Sequence, residues 1–270
     1  MPGLIVAFEK PGTQDFVWPT MFKIFGFPVN WIIVMAVVTI AVVTAFFYFG
    51  LRKAKPVPGR LQTMIEMGVG FVRDTIIMEV IGPEGLKYLP LLSSVFFFFL
   101  FANLFSPFPP NTSIDTRLAF PLVFALFIWG TYNVAGVRAQ KRHAGLHGPL
   151  SYLRATGKYL KVQCVPSGAP APILVLLVPT EFISNIIVRP FSLALRLFLN
   201  MMAGHMILAL IFGVTMLMVD GAIFLKPFAI LPLALGMVWI LVEIFVALLQ
   251  AFIFVILSST YIASAISTEH

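Results

Sequence analysis

The chain has 270 residues, 60% of them hydrophobic and only 11% charged, and its mean hydropathy is +0.99. Soluble domains carry roughly 25% charged residues because a surface facing water needs them. A soluble enzyme is therefore excluded, and the chain belongs in a bilayer. The formal net charge is +7, from 18 Lys and Arg against 11 Asp and Glu.

At the N-terminus, Glu9, Pro11 and Asp15 interrupt any apolar run, so residues 1–30 read as an extracytoplasmic segment and not as a secretory signal. The first crossing is predicted over Trp31–Leu51, long enough to span the hydrocarbon core. It ends in a basic cluster, Arg52, Lys53, Lys55 and Arg60. Residues 60–79 place Leu61, Met64, Ile65, Val69, Val72 and Ile76 near helical spacing, with Glu66, Arg73, Asp74 and Glu79 between them. This pattern predicts an amphipathic helix lying at the interface.

A second crossing is predicted over Leu89–Phe105, followed by a Pro-rich turn over Pro107–Arg117 and a third crossing over Leu118–Val137. Residues 138–170 form a second basic segment, with Arg138, Lys141, Arg142, Arg154, Lys158 and Lys161, and their glycines and prolines predict a cytoplasmic loop holding one short helix. His143 and His147 have the i,i+4 spacing of a helical metal pair, but Gly145 and Gly148 argue against a helix and make them loop residues. Cys164 is the single cysteine, so neither an intrachain disulfide nor a cysteine-built metal site is available.

Two long apolar stretches follow, 171–219 and 228–266, separated by a turn at Asp220–Pro227. As continuous helices they would reach about 70 and 60 Å at 1.5 Å per residue, against a hydrocarbon core of about 30 Å. No polar loop breaks either stretch, and Pro190 and Pro232 are read as the candidate kinks. An oblique helical hairpin over 171–266 is the preferred reading over four separate crossings. The predicted fold class is thus an all-α polytopic membrane protein, one membrane domain over 1–270. It has about five transmembrane helices, one interfacial helix and a last oblique hairpin. Because Lys- and Arg-rich loops stay inside, the N-terminus is expected outside and the C-terminus in the cytoplasm.

The informative charges lie inside the hairpin, where an Arg at mid-membrane costs at least about 2.5–3.5 kcal/mol on insertion scales. Arg196 is flanked by apolar and small residues in PFSLALRLFLNMMAGHMILAL. At about 100° per residue, Ser192 and Asn200 fall within roughly 40° of it and Arg189 within about 20°, while His205 falls about 180° away. Ala194, Ala203 and Gly204 leave parts of the helix thin enough for a close neighbour. On the last helix Glu243 and Gln250 are two turns apart on one face. An antiparallel hairpin turning near residue 223 sets His205 level with Glu243, and Arg196 level with Gln250. A His and a Glu at matching depth are read as a proton relay in preference to a static pair. Glu181 and Asn185, one turn apart, either line a second polar path or place Glu181 at the interface. Neither a phosphate-binding glycine loop nor a nucleophile elbow occurs in the chain.

The string PFSLALRLFLNMMAGH closely resembles the signature of subunit a of F-type ATP synthases, the membrane stator beside the rotating ring of c subunits. FANLFSPFPPNTSIDTRLAFPLVFALF is similar to that family's second-span exit, and LLQAFIFVILSSTYIASA to its terminal helix. The resemblance covers most of residues 60–268. It implies that Arg196 is the arginine facing the rotor carboxylate, Gln250 the glutamine across from it, and Ser192 and Asn200 polar lining. His205 and Glu243 take access-channel positions, and Glu181 and Arg189 fall near the acidic and basic positions ahead of the signature. Leu199 departs from the small residue common there.

The function so implied is proton translocation through two offset half-channels, coupled to ATP synthesis. The chain is then a non-catalytic subunit with no cofactor in a bacterial plasma membrane, partnered by the c-ring, peripheral-stalk b subunits, the catalytic head and lipid. The alternatives are an independent channel or transporter, which should conduct alone, and a structural membrane subunit, for which the polar stripe is incidental. The basic clusters lack the aromatic interleaving of a nucleic-acid surface.

Overall fold

The computed structural model describes residues 20–24, 27–52, 55–105, 118–143, 151–164, 171–221 and 223–267. The predicted Pro107–Arg117 turn, His147 and the last residues lie outside them. The described chain is helical apart from one antiparallel pair, β1 (Thr20–Ile24) and β2 (Phe27–Asn30), which the sequence reading did not anticipate. Helix α1 (Trp31–Leu51) follows β2 directly. Among the described residues five helices are long and apolar enough to cross a membrane: Ile33–Leu51, Pro83–Leu104, Ala119–His143, Leu176–Asp220 and Lys226–Ile266.

The 60–79 segment is helical as expected but not uniform: α2 (Arg60–Phe71), a π-turn (Val72–Ile77) and α3 (Met78–Val80). Its buried face differs from the predicted stripe. Ile65, Val72 and Ile76 are buried, whereas Leu61 and Met64 are exposed. Gln62 turns inward instead, because its amide closes the approach to the helix: it donates to the Lys55 carbonyl at 3.1 Å and accepts from the Lys55 N–H at 3.2 Å. The wider π-turn then rotates the later residues relative to a straight 3.6-residue pattern. Arg73 donates to Asp74 at 2.7 and 2.9 Å, holding that carboxyl below its usual range, and both side chains are exposed. After α3 the chain reverses at Gly82, whose φ of 81° suits a residue without Cβ.

A 3-10 turn (Pro83–Tyr88) leads into α4 (Leu89–Leu104), as predicted. Helix α5 (Ala119–His143) runs past the predicted end at Val137, so Arg138, Lys141, Arg142 and His143 are helical. They are good helix formers up to Gly145, and cations in a last turn oppose the negative end of the helix dipole. The basic segment is therefore largely helix, continuing after undescribed residues as α6 (Ser151–Cys164).

Helix α7 (Ala171–Ile183), a π-turn (Ser184–Val188) and α8 (Arg189–Asp220) succeed one another without a loop. After a short turn and a 3-10 segment (Lys226–Ala229), α9 (Ile230–Ile266) completes the described chain. The irregularity of the first long helix lies at the π-turn just before Pro190, and Pro232 sits harmlessly in the first turn of α9.

The residues pack as two compact units. One takes α1 up to Phe46, α4 from Phe97, and Phe198–Ala251 of the hairpin. Within it Phe46 meets Phe97 and Phe101, with ring centroids 6.0 and 5.3 Å apart. The other takes Phe47–Phe96, Leu118–Leu197 and the chain from Phe252. Here Gly136 of α5 is pressed against the Tyr159 ring of α6 and the Ala265 carbonyl of α9. Phe71 packs on Phe96 and Phe252, with centroids 6.0 and 5.7 Å away.

Candidate functional site: ionisable groups in the helical hairpin

In the first unit, α8 and α9 meet in an antiparallel register that two contacts define. A Cβ on Gly204 would lie 2.8 Å from Glu243 Oε1, and one on Gly236 would lie 3.2 Å from Ile211 Cγ2. Both pairs mirror about one point between residues 223 and 224, where the sequence places the turn. Gly204 lacks a side chain, so the Glu243 carboxylate rests on the backbone of α8 one residue before His205. His205 and Glu243 are both buried, at 8% and 5% exposure. Neither carboxylate oxygen of Glu243 has a hydrogen-bond partner among the described residues. Buried polar atoms are almost always partnered, so this unpartnered carboxylate is an exception among the described residues of the helix pair. Asn103 of α4, in the same unit, is fully buried with both amide atoms unpartnered; it is a further polar position that the charge-based reading did not single out.

Gln250 is also buried, at 5% exposure. Arg196 is different: it is exposed and makes no hydrogen bond or ion pair among the described residues. Its helix neighbours Leu193, Ala194 and Leu197 are buried, so α8 packs through their side and turns Arg196 outward. Leu199 and Ala203, which follow at helical spacing, are exposed as well. Ser192 and Asn200 are half-buried, and Ser192 donates back to the Arg189 carbonyl at 3.2 Å. Arg196 belongs to the second unit, where it is exposed, and His205 to the first, where it is buried.

The second unit holds a polar cluster that the sequence reading missed. The Arg189 N–H bonds the Ser184 carbonyl five residues back, and the next donor in that pattern would be Pro190, which has none. The Asn185 carbonyl is consequently released from the helix ladder. It accepts instead from α5, where Tyr132 Oη donates at 2.9 Å and Trp129 Nε1 at 3.3 Å. The Asn185 amide donates to the Gln163 carbonyl of α6 at 3.3 Å. Tyr159 Oη donates to Asn133 at 3.2 Å, and Arg189 donates to Ser264 at 3.2 Å while lying 5.4 Å over the Tyr261 ring. Asn185 is thus tied into a structural junction of α5, α6 and the π-turn, and Glu181, half-buried on α7, is not joined to it by any of these bonds. Pro190, which lacks the N–H that the Asn185 carbonyl five residues earlier would need, was the available sequence signal, but the carbonyl's acceptor role needs partners more than 50 residues away.

The junction yields a stability prediction. Tyr132→Phe leaves the Trp129 donor in place and should cost about 1 kcal/mol. Adding Trp129→Phe orphans a buried carbonyl and should raise the loss to about 1–3 kcal/mol beyond that. Unfolding of the purified chain in detergent should show this excess; strictly additive small losses would argue against a shared acceptor.

Five helices long enough to cross a bilayer among the described residues, with the ionisable His205 and Glu243 buried on the last two, define a polytopic membrane protein. Residues 32–263 match the family described as ATP synthase A chain. The chain is 36% identical to ATP synthase subunit a of Nocardioides sp., over 98% of this chain and 95% of that protein. It is 33% identical to the subunit a of Rhodococcus erythropolis, over 97% and 92%, and 33% identical to that of Streptomyces lividans, over 98% and 90%. The chain belongs to the ATP synthase subunit a family. It is therefore a non-catalytic membrane subunit that works with other subunits, not an enzyme by itself.

Proposed function

We propose that this chain is the proton-conducting stator of a rotary ATP synthase, a single membrane domain in a bacterial plasma membrane with its N-terminus outside and C-terminus in the cytoplasm. The observation that carries the reading is the contrast between an exposed Arg196 on an apolar helix, unpaired among the described residues, and a buried His205 and Glu243. An arginine in lipid without an internal partner needs an external one, and the fitting partner is a carboxylate on a neighbouring ring of small membrane subunits. In lipid such a carboxylate must be protonated, because a bare charge is prohibitively costly there. Beside Arg196 the opposite charge favours the ionised form, and the proton leaves. Guanidinium suits this position because it stays charged at any working pH, whereas a buried ammonium can shed its proton.

His205 and Glu243 serve one half-channel, and Gln250, Asn200 and Ser192 are polar lining near the arginine's path. Glu181 and Asn185 belong to the opposite half-channel, with Asn185 also anchoring the π-turn. Because Arg196 separates the two paths, protons pass only by rotation of the ring. The b subunits and the catalytic head complete the assembly. The exposed side of α8 is its rotor-facing side.

Cysteine pairing in the intact complex tests that facing. Leu199→Cys, on the exposed side, should cross-link to a cysteine placed beside the rotor carboxylate. Leu197→Cys, on the buried side, should not. The reverse pattern, or failure of the chain to co-purify with a proteolipid ring and a soluble ATPase head, would favour an independent channel or a structural subunit.

A further inference from the structure

At the charged end of α5 lies a cavity of about 410 Å³ lined by Glu84, Lys87, Tyr88, Arg138, Arg142 and His143. The lining places three permanent cations against one carboxylate, and Lys87, Arg138, Arg142 and His143 are all exposed. The Lys87 ammonium sits 5.1 Å over the Tyr88 ring, which anchors the mouth of the cavity. A second cavity, about 470 Å³, continues from it along α5 and is lined by Leu126, Phe127, Gly130 and Val134. The two share Tyr88, Ala135 and Arg138. Gly130 keeps the groove open, since a Cβ there would meet nothing within 4 Å. Leu126, Phe127 and Val134 are about half exposed, at 48%, 56% and 50%.

From Leu126 to Arg138 the helix rises about 18 Å, close to the roughly 15 Å hydrocarbon depth of one leaflet. A small anion would use the basic cavity and leave the apolar groove bare. A phospholipid uses both at the spacing its own headgroup and chain have. Basic pockets between membrane helices bind anionic headgroups by this chemistry, and a monoanionic phosphodiester suits three cations already partly balanced by Glu84.

We propose that the chain holds one anionic phospholipid here, its phosphate between Lys87, Arg138 and Arg142 and an acyl chain along Leu126, Phe127 and Val134. All these residues lie in one packed unit, and none of them is a residue assigned above to the ion path.

The test is lipid retention by the purified full-length chain, delipidated in zwitterionic detergent and then offered phosphatidylglycerol or phosphatidylcholine, with bound lipid counted by native mass spectrometry. The unaltered chain should keep phosphatidylglycerol at least about tenfold better than phosphatidylcholine, a comparison that requires no variant to fold. Arg138→Gln with Arg142→Gln should weaken retention about thirtyfold. The charge-matched pair Lys158→Gln with Lys161→Gln, on exposed positions of α6, should leave it unchanged. Val134→Trp, which fills the groove and keeps every charge, should also release the lipid. Equal retention of the two lipid classes, or undiminished binding in either cavity variant, would overturn the proposal. Displacement of phosphatidylglycerol by millimolar inorganic phosphate would replace it with a soluble-anion site, and displacement by an acidic segment of another subunit would replace it with a protein contact.

Discussion

Arg196→Ala is expected to abolish proton-driven ATP synthesis while the complex still assembles. Assembly should survive because the side chain is exposed and bonds to none of the described residues, so its removal leaves no buried group among them unpaired. The functional loss should be complete for an electrostatic reason. Ionising a carboxylate in an apolar setting without a counter-charge costs several kcal/mol, and each 1.36 kcal/mol on a barrier is about tenfold in rate. A deficit of about 4 kcal/mol is then about a thousandfold. Arg196→Lys should be nearly as damaging, since an ammonium in that setting can lose its proton where a guanidinium does not. Passive proton leak through the membrane sector should rise in the alanine variant, because the barrier between the two paths is gone. Reconstituted vesicles driven by an imposed pH gradient measure both effects, and retained coupled synthesis would sink the assignment.

The second large effect concerns His205 and Glu243. Loss of either, as His205→Ala or Glu243→Ala, should slow proton delivery about a hundredfold, the low end of what a positioned acid–base group contributes. The exchange, His205→Glu with Glu243→His, should be milder than either single loss, because the pair would still offer one acid and one base at the same depth. The structure adds a sharper form. The Glu243 carboxylate rests against the bare backbone of Gly204. Gly204→Val should therefore push it away and reduce conduction with both titratable residues intact. Proton uptake by membrane sectors stripped of the catalytic head reads all four variants. Equal damage from the exchange and the single losses would mean that the two residues act separately.

Much of this protein is legible in its residues because lipid penalises polar groups one at a time. Each charge in an apolar stretch stands out without knowledge of its neighbours, so Arg196, His205 and Glu243 are visible as exceptions. The lengths of the first three spans follow from bilayer thickness in the same way. Even the hairpin register near residue 223 follows from the position of the polar turn, and the Gly204–Glu243 and Gly236–Ile211 contacts agree with it.

What the tertiary structure alone decided is where satisfaction of one group depends on distant others. Pro190 announces a missing N–H, but not that Tyr132 and Trp129 would take up the carbonyl it frees. The 60–79 segment shows helical periodicity, but Gln62 turned inward to bond Lys55 while Leu61 and Met64 stayed exposed, and the π-turn shifted the phase of the residues after Phe71. Arg138 and Arg142 read as topology markers until α5 extended through them and set them, with Lys87, at the head of an apolar groove. Membrane solvation is a property of single residues and is written along the chain. Hydrogen-bond partners and cavity walls are pairwise, drawn from segments far apart in sequence, and exist only once the helices have packed.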